Sequence, residues 1–407
     1  MVNRARVVIY VQHLLGSGHL RRAAALARAM QVENLAVTVI SGGAPVSDID
    51  FGASEVCQLP VLKARDERIS ELINADGKPI TDAWRQRRRR QLLDIVNRVQ
   101  PQILIVESFP FGRRKLRFEL IPLLELVDSW CPRPKVLCSI RDILQRQSKP
   151  ERVAETIAMV RRYIDIVLVH GDPAFVTLEE SYPAAAEIAD KINYTGFVVD
   201  RDDSELANGA ESTTESRDTG RAGVVVSAGG GAVGAKLFAT ALDARPLTRL
   251  HDEPWHCLVG DGLAEPEFRA LTARVAPGIT VERARPDFRQ LLRRAAVSIS
   301  QAGYNTALDL LHVGTPAVLV PFVGVGETEQ TLRAARIRNL GRAQVVPHEL
   351  LDAANLAAAV DRAVAMALNP RAGFNCEGAA RSARIVAALL AGSDRRTDRA
   401  GHDNSGY

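Results

Sequence analysis

The sequence predicts an α/β protein built from two Rossmann-like domains. Three observations carry that prediction: short β-branched runs alternate with amphipathic helical segments through both halves, each half opens with a strand followed by a glycine-rich turn, and one acidic, Ser/Thr-rich stretch separates them. Strands that read as near-continuous apolar runs belong to a parallel sheet covered by helices on both faces. In the first half these runs are 7–11 (VVIYV), 36–41 (AVTVIS), 103–107 (ILIVE), 135–140 (KVLCSI) and 165–170 (DIVLVH). In the second half they are 223–228 (GVVVSA), 255–260 (WHCLVG), 279–282 (ITVE), 297–300 (VSIS), 317–321 (AVLVP) and 343–346 (AQVV). A pair of such domains is expected to hold a ligand in a cleft at the carboxyl ends of its two sheets.

Charge resolved along the chain places the boundary. Residues 1–199 carry a net +5, residues 200–221 a net −4 and residues 222–407 a net +3. The middle piece, DRDDSELANGAESTTESRDTGR, has almost no large apolar side chain to bury and reads as a solvated linker. The expected division is therefore a domain over 1–199, a linker over 200–221, a domain over 222–392 and an unstructured tail over 393–407, whose composition matches the linker.

The remaining composition narrows the class. With 46% hydrophobic and 25% charged residues in 407, the chain has a globular composition. Its net charge of +4 is far below that of a dedicated nucleic-acid binder. Its apolar runs fall short of the roughly 20 residues a bilayer span needs, and Gln12 and His13 interrupt the N-terminal one, so neither a membrane span nor a signal peptide is expected. Cys57, Cys131, Cys138, Cys257 and Cys376 are scattered and odd in number, which argues for free thiols in a reducing cytoplasm rather than a disulfide framework or zinc site.

Two glycine-rich turns and one later segment carry chemistry. After the first strand, Gly16, Ser17 and Gly18 lead into an Ala-rich helix (23–30), and His19 stands at the helix start, where an imidazole serves either as a cap or as a general base near neutral pH. The turn lacks the third glycine and the ribose-binding acid of a dinucleotide fingerprint. In the second half, Gly229, Gly230 and Gly231 precede a helix over 235–242, giving bare amides suited to a diphosphate or simply a tight turn; no Walker lysine follows. Residues 300–333 then read SQAGYNTALDLLHVGTPAVLVPFVGVGETEQTLR. Gly303 makes a turn, Asn305 and Thr306 sit at a helix N-terminus that favours anions, Asp309 follows one helical turn on, and Glu329 and Gln330 offer hydroxyl-binding groups.

This segment resembles the nucleotide-sugar signature of GT-B glycosyltransferases, especially the family of the peptidoglycan N-acetylglucosaminyltransferase MurG and of monogalactosyldiacylglycerol synthase (glycosyltransferase family 28), and it is similar to the plant UDP-glycosyltransferase box. Residues 107–110, 139–142, 171–173 and 195–197 further resemble a subgroup of bacterial predicted glycosyltransferases. The resemblance implies a GT-B fold with an acceptor-side N-terminal domain, whose loop is Gly16–Gly18, and a donor-binding C-terminal domain. It implies diphosphate contacts at Gly303, Asn305 and Thr306, ribose on Asp309 and donor sugar on Glu329 and Gln330. Gln301 stands where the plant box has histidine, Asp309 where glutamate is usual, and the N-terminal turn is shorter than MurG's.

The function expected on this basis is metal-independent, inverting transfer of a sugar from a nucleotide-diphosphate sugar, with UDP-N-acetylglucosamine one candidate donor, to a glycan, lipid-linked or small-molecule hydroxyl. His19 is the candidate base and Glu107 its reserve, and no cofactor is expected. A UDP-sugar 2-epimerase and a noncatalytic nucleotide-sugar-binding subunit remain open alternatives. Asp48 and Asp50 match a metal-chelating D-x-D by spelling but not by position, and Asp142, His170, Asp172 and His312 read as caps and core contacts. Arg85 and Arg87, Arg88, Arg89 and Arg90, preceded by Trp84, read as a solvated helix face or as a contact to an anionic membrane surface, which sets the expected location as cytoplasmic or peripheral on the inner membrane face.

Overall fold

The computed structural model describes residues 4–14, 16–47, 49–66, 69–145, 147, 149–199, 220–229, 234–285, 287–323, 328–366 and 375–400, the last nine of these by backbone only. The chain divides into two compact units, residues 1–200 with 375–407 and residues 201–374.

Unit 1 is a seven-stranded parallel sheet in the order β3-β2-β1-β6-β7-β8-β9. Its strands are β1 (Arg6–Val11), β2 (Ala36–Ser41), β3 (Glu55–Gln58), β6 (Ile103–Glu107), β7 (Lys135–Arg141), β8 (Ile166–His170) and β9 (Ile192–Tyr194). A small antiparallel pair, β4 (Lys63–Ala64) and β5 (Leu72–Ile73), stands apart. The helices are α1 (Gly18–Val32), α2 (Asp82–Val99), α3 (Arg117–Asp128), α4 (Pro150–Tyr163) and α5 (Leu178–Ser181). The order reverses between β1 and β6, and at such a switch point open α/β sheets bind their ligands.

Alternate residues of each strand feed two cores. Val8, Tyr10, Leu104, Val106, Val136 and Cys138 pack beneath α2, α3 and α4, while Val7, Ile9, Val11, Ile103, Ile105 and Leu137 pack beneath α1. This two-sided burial is why the strands carry no polar alternation.

Unit 2 repeats the plan with six parallel strands in the order β12-β11-β10-β13-β14-β15. They are β10 (Val224–Ser227), β11 (Trp255–Val259), β12 (Ile279–Arg283), β13 (Val297–Ser300), β14 (Ala317–Leu319) and β15 (Ala343–Val345). Its helices are α6 (Ala235–Ala244), α7 (Glu265–Thr272), α8 (Phe288–Arg294), α9 (Tyr304–Val313), α10 (Glu329–Asn339) and α11 (Ala353–Val364). The switch point falls between β10 and β13, where Ser227 and Ser300 lie side by side in register.

The C-terminal segment departs from the expected division. Residues 375–392 were assigned to the second domain, yet they belong to unit 1: α12 (Gly378–Ala400) packs along α1, burying Ala383 and Val386 in the same core as Leu20, Ala23 and Ala27. The entry to this helix is tight, because a Cβ at Gly378 would lie 2.3 Å from the Gly196 carbonyl oxygen. The tail expected over 393–407 is helical as far as Ala400; its last seven residues, and residues 200–219 of the expected linker, lie outside the described ones.

Candidate functional site

Both sequence-selected regions fall at the carboxyl edges of their sheets, and each is described within its own unit. In unit 1, β1 ends at Val11 and the Gly16–Gly18 turn hands the chain to α1, which begins at Gly18 rather than near Ala23. No side chain caps this helix and no acid occupies its first turn. His19 and Arg22 therefore stand on one face of the first turn, above the end of β6.

There they meet Glu107. His19 Nδ1 lies 2.7 Å from Glu107 Oε1, Arg22 forms an ion pair with the same oxygen, and the Ser108 hydroxyl donates to it at 2.9 Å. Ser108 occupies left-handed backbone, φ +64°, an uncommon conformation for a non-glycine residue that turns the chain sharply beneath the carboxylate. Glu107 is 2% exposed and His19 23%. Burial alone would raise the Glu107 carboxyl, but His19, Arg22 and Arg113 override it and hold the group ionised well below the usual carboxylate range. Burial drives His19 down to about 3, against the pull of Glu107. The pair is thus a carboxylate against a neutral imidazole. An ionised carboxylate accepts from Nδ1–H, which fixes the tautomer and leaves the Nε2 lone pair as a proton acceptor.

His170 is a core contact, as expected. It is fully buried, with Nε2 2.8 Å from the Ser139 hydroxyl and Nδ1 2.9 Å from the Thr195 hydroxyl, and burial pushes it down to about 3.

The arginine run on α2 requires a correction. Arg88 is completely buried and faces no solvent surface: its Nε donates to Glu119 at 2.7 Å, its Nη2 to Gln12 at 2.7 Å, and its Nη1 to the carbonyls of Gly42, at 3.0 Å, and Pro60. Tyr10 donates to the same Glu119 at 2.6 Å. Arg87 and Arg90 are exposed, while Arg85 pairs with Asp82 and lies over Phe118. The periodicity of α2 puts Arg88, Leu92 and Val96 on its inward stripe. Of the D-x-D spelling, Asp48 lies outside the described residues and Asp50 Oδ1 accepts from the Gly52 amide at 2.8 Å.

In unit 2 the turn after β10 reaches Gly229, with φ +69°; Gly230 and Gly231 lie outside the described residues. A Cβ at Gly229 would stand 3.9 Å from the Thr306 hydroxyl, so the two turns picked from distant parts of the sequence are neighbours. Gly303 caps α9 through its backbone alone, with no acid in the first turn, and Asn305 is exposed there. Gln301 is buried and its backbone N–H donates to the Ser227 carbonyl at 3.3 Å.

The three hydroxyl-binding candidates all carry protein partners. Asp309 accepts from Arg289 Nε at 2.6 Å. Glu329, 3% exposed, is paired with Arg333 Nη2 at 2.7 Å, and Gln330 Oε1 accepts from the Phe322 amide at 3.0 Å. Arg333 also donates to the Ala302 carbonyl at 3.0 Å and lies 5.5 Å from the Tyr304 ring, tying α10 to the turn before α9. Arg22, Arg289 and Arg333 were not singled out in the sequence; spacing offered a signal for two of them, since Arg22 is three residues from His19 and Arg333 four from Glu329.

Known proteins agree with this arrangement. Residues 224–387 match the glycosyltransferase family 28 C-terminal domain. A UDP-N-acetylglucosamine–N-acetylmuramyl-(pentapeptide) pyrophosphoryl-undecaprenol N-acetylglucosamine transferase of Mesorhizobium japonicum is 30% identical over 172 residues, 39% of this chain and 44% of that protein. Its namesake from Methylococcus capsulatus is 30% identical over 185 residues, 44% of this chain and 48% of that protein. The chain thus spans about half the length of the curated relatives it matches. Among solved structures, Acinetobacter baumannii MurG superposes with a TM-score of 0.54 at 13% identity, over 95% of this chain and 99% of that one. A UDP-glucosyltransferase from Polygonum tinctorium gives 0.59 at 14%, over 96% and 100%. Residues 224–387 accordingly match the glycosyltransferase family 28 C-terminal domain, and the fold of the chain is that of the GT-B glycosyltransferases.

Proposed function

We propose that this protein is a glycosyltransferase that moves a sugar from a nucleotide-diphosphate sugar, with a UDP-sugar preferred, to an acceptor hydroxyl, with inversion and without a metal ion. The observation that carries the reading is the contact of neutral His19 with ionised Glu107 at the carboxyl edge of the unit 1 sheet. Nε2 takes the acceptor's proton as the oxygen attacks, and the Glu107 carboxylate stabilises the imidazolium that forms. Attack from the face opposite the leaving diphosphate inverts the anomeric centre. Glu107, the reserve base of the sequence reading, is in this scheme the orienting partner of His19.

The donor belongs to unit 2. The N-terminus of α9, which no side chain caps, with Gly303, Asn305 and Thr306, and the adjoining Gly229 turn supply amide and hydroxyl donors for the diphosphate, a role a metal plays elsewhere. Asp309 accepts from the ribose diol while Arg289 holds its other side, and Glu329 and Gln330, fixed by Arg333 and Phe322, border the sugar. The names of the curated relatives support UDP-N-acetylglucosamine as the first donor to try. Peripheral contact with an anionic membrane surface through Arg87 and Arg90, the exposed members of the α2 run, belongs to the same proposal.

The test begins with calorimetric titration of UDP, then NMR of products from UDP-sugars with and without an acceptor panel. Asp309→Ala is expected to weaken UDP at least tenfold with the fold intact; an unchanged affinity removes the donor assignment. A new glycoside supports transfer, a C2-epimerised donor formed without acceptor identifies an epimerase, and binding with no reaction identifies a binding subunit.

A further inference from the structure

His13 stands at the carboxyl edge of β1 and plays no part in the proposed chemistry. β1 ends at Val11, in register with Ser41 of β2, and the Gly42 amide extends the pairing by donating to the Val11 carbonyl at 3.0 Å. Gln12 and His13 thus leave the strand beside Gly42 and Gly43, and the turn that delivers His19 follows.

The chain builds a seat for this imidazole. A Cβ at Gly43 would fall within 2.6 Å of Cε1, Nδ1 and Nε2 of His13, and one at Gly42 would overlap Gln12 Oε1 and Arg88 Nη2. Neither glycine has a positive φ, so close packing rather than backbone conformation excludes a side chain at both. Gln12 is fully buried, and its Nε2 donates to the carbonyls of His13 at 2.6 Å and Leu62 at 3.0 Å, while its Oε1 accepts from Arg88. The buried Arg88–Glu119 pair therefore reaches, through Gln12, the backbone that carries His13.

The ring is 6% exposed. His170, equally interior, engages both ring nitrogens with the Ser139 and Thr195 hydroxyls, whereas His13 Nδ1 is enclosed without a hydrogen-bond partner, which leaves the Nε2 edge to reach the surface. A side chain that only filled this space would carry no nitrogen to desolvate. Burial pushes His13 below its ordinary value against the pull of the Ala44 backbone, and Arg113 adds to the fall, so the ring is uncharged at neutral pH. Arg113 lowers His19 as well, which places both imidazoles in one field. An uncharged imidazole gives an anion no counter-charge; a hydroxyl, donor and acceptor at once, suits either tautomer.

We propose that His13 is an acceptor-binding residue whose Nε2 hydrogen-bonds a hydroxyl other than the one that reacts at His19. This rests on the reading of unit 1 as the acceptor side and deepens it: the acceptor is a polyhydroxylated molecule, held by one hydroxyl and glycosylated at another, not a monohydric alcohol.

The experiment uses the full chain labelled with 15N-histidine, with and without saturating UDP. It is titrated with methyl β-D-glucopyranoside, with myo-inositol and, as the monohydric control, with 1-butanol. At least one polyol is expected to shift the ring signal that His13→Gln removes, while 1-butanol leaves it in place. His13→Ala weakens polyol binding by about tenfold, the worth of one lost hydrogen bond, and leaves UDP affinity unchanged. His13→Gln, whose carboxamide also donates and accepts, falls between. Gly43→Ala keeps the imidazole but displaces it from its seat, and behaves like His13→Ala. The proposal is overturned if neither polyol binds, if 1-butanol shifts the ring signal as strongly, or if His13→Ala keeps the polyol affinity. Loss of UDP and polyol binding together in both His13 variants also overturns it, because the ring is then a structural support. A chain that binds polyols through His13 but does not bind UDP sinks the donor reading and leaves the polyol site standing.

Discussion

Replacing Glu107 by Gln tests the proposed chemistry at its narrowest point. The carboxylate lies 2.7 Å from His19 Nδ1 and is 2% exposed, so no solvent substitutes for the lost charge. Glutamine fits the same space, but its amide can donate to Nδ1, and the imidazole then carries its proton on Nε2 with no lone pair for the acceptor. The imidazolium formed during transfer also loses its counter-ion. The corresponding acid-to-amide change in a hydrolytic triad lowers turnover by about 10⁴. Here Arg22 remains beside the imidazole, 3.2 Å from Nδ1, and adds repulsion to the charged form. A fall in kcat of roughly 10³ to 10⁴ is expected, about 4 to 5.5 kcal/mol in the barrier. The donor KM should stay within threefold, because the proposed donor contacts all lie in unit 2. Steady-state UDP release should be followed for the wild type, E107Q, H19A and the double variant. Since the two residues act as one unit, the double variant should be no slower than H19A alone. An E107Q enzyme within tenfold of wild type, or losses that multiply, would refute the dyad.

Two further outcomes concern stability. Arg88→Met strands Glu119 without its ion pair in the core and should destabilise unit 1 by about 3 to 5 kcal/mol in urea titration, whereas Arg87→Ala and Arg90→Ala should each stay within about 0.5 kcal/mol. Equal effects from all three would contradict the burial of Arg88. His170 takes its proton at about 3 when folded, against 6.5 as its ordinary value, so the unfolded chain binds more protons between these limits. Stability from this group is complete above about pH 6.5 and declines as pH falls, by about 1.4 kcal/mol per pH unit. His19, also lowered to about 3, adds a decline of the same sign. Melting temperatures from pH 7 to 4.5 should fall less steeply in His170→Gln than in the wild type, and identical slopes would remove His170 from the acid response.

Much of this protein is legible without coordinates. Buried parallel strands announce themselves as β-branched runs, and eleven of them were placed with boundary errors of at most two residues. The strands missed were short or exposed. β3, with Glu55, Val56 and Gln58 exposed, carries no apolar run, and β9 has only three residues. The neighbourhood of Gly229 and Thr306 followed from the rule that ligand-binding turns gather at a switch point. Arg88 did not follow. A run of arginines reads as surface, and only the partners Glu119, Gln12 and Tyr10, far away in sequence, show why the third of five is inside. The same holds for Asp309 and Glu329: their positions were readable, but their arginine partners depend on how α8 and α10 meet the α9 segment.

The return of α12 to unit 1 makes that unit discontinuous, since residues 201–374 are inserted between its two pieces. A single backbone cut between the units does not release either as a separate body, because residues 375–400 remain clasped to the helix that bears His19. A fragment ending near Val199 would expose Leu20, Ala23 and Ala27, the apolar groove that Ala383 and Val386 fill. The natural dissection is excision: join Val199 to Asn375 and express 220–366 alone. The last described helix is in this sense the roof of the first, and the integrity of the unit that carries His19 is decided at the opposite end of the described residues.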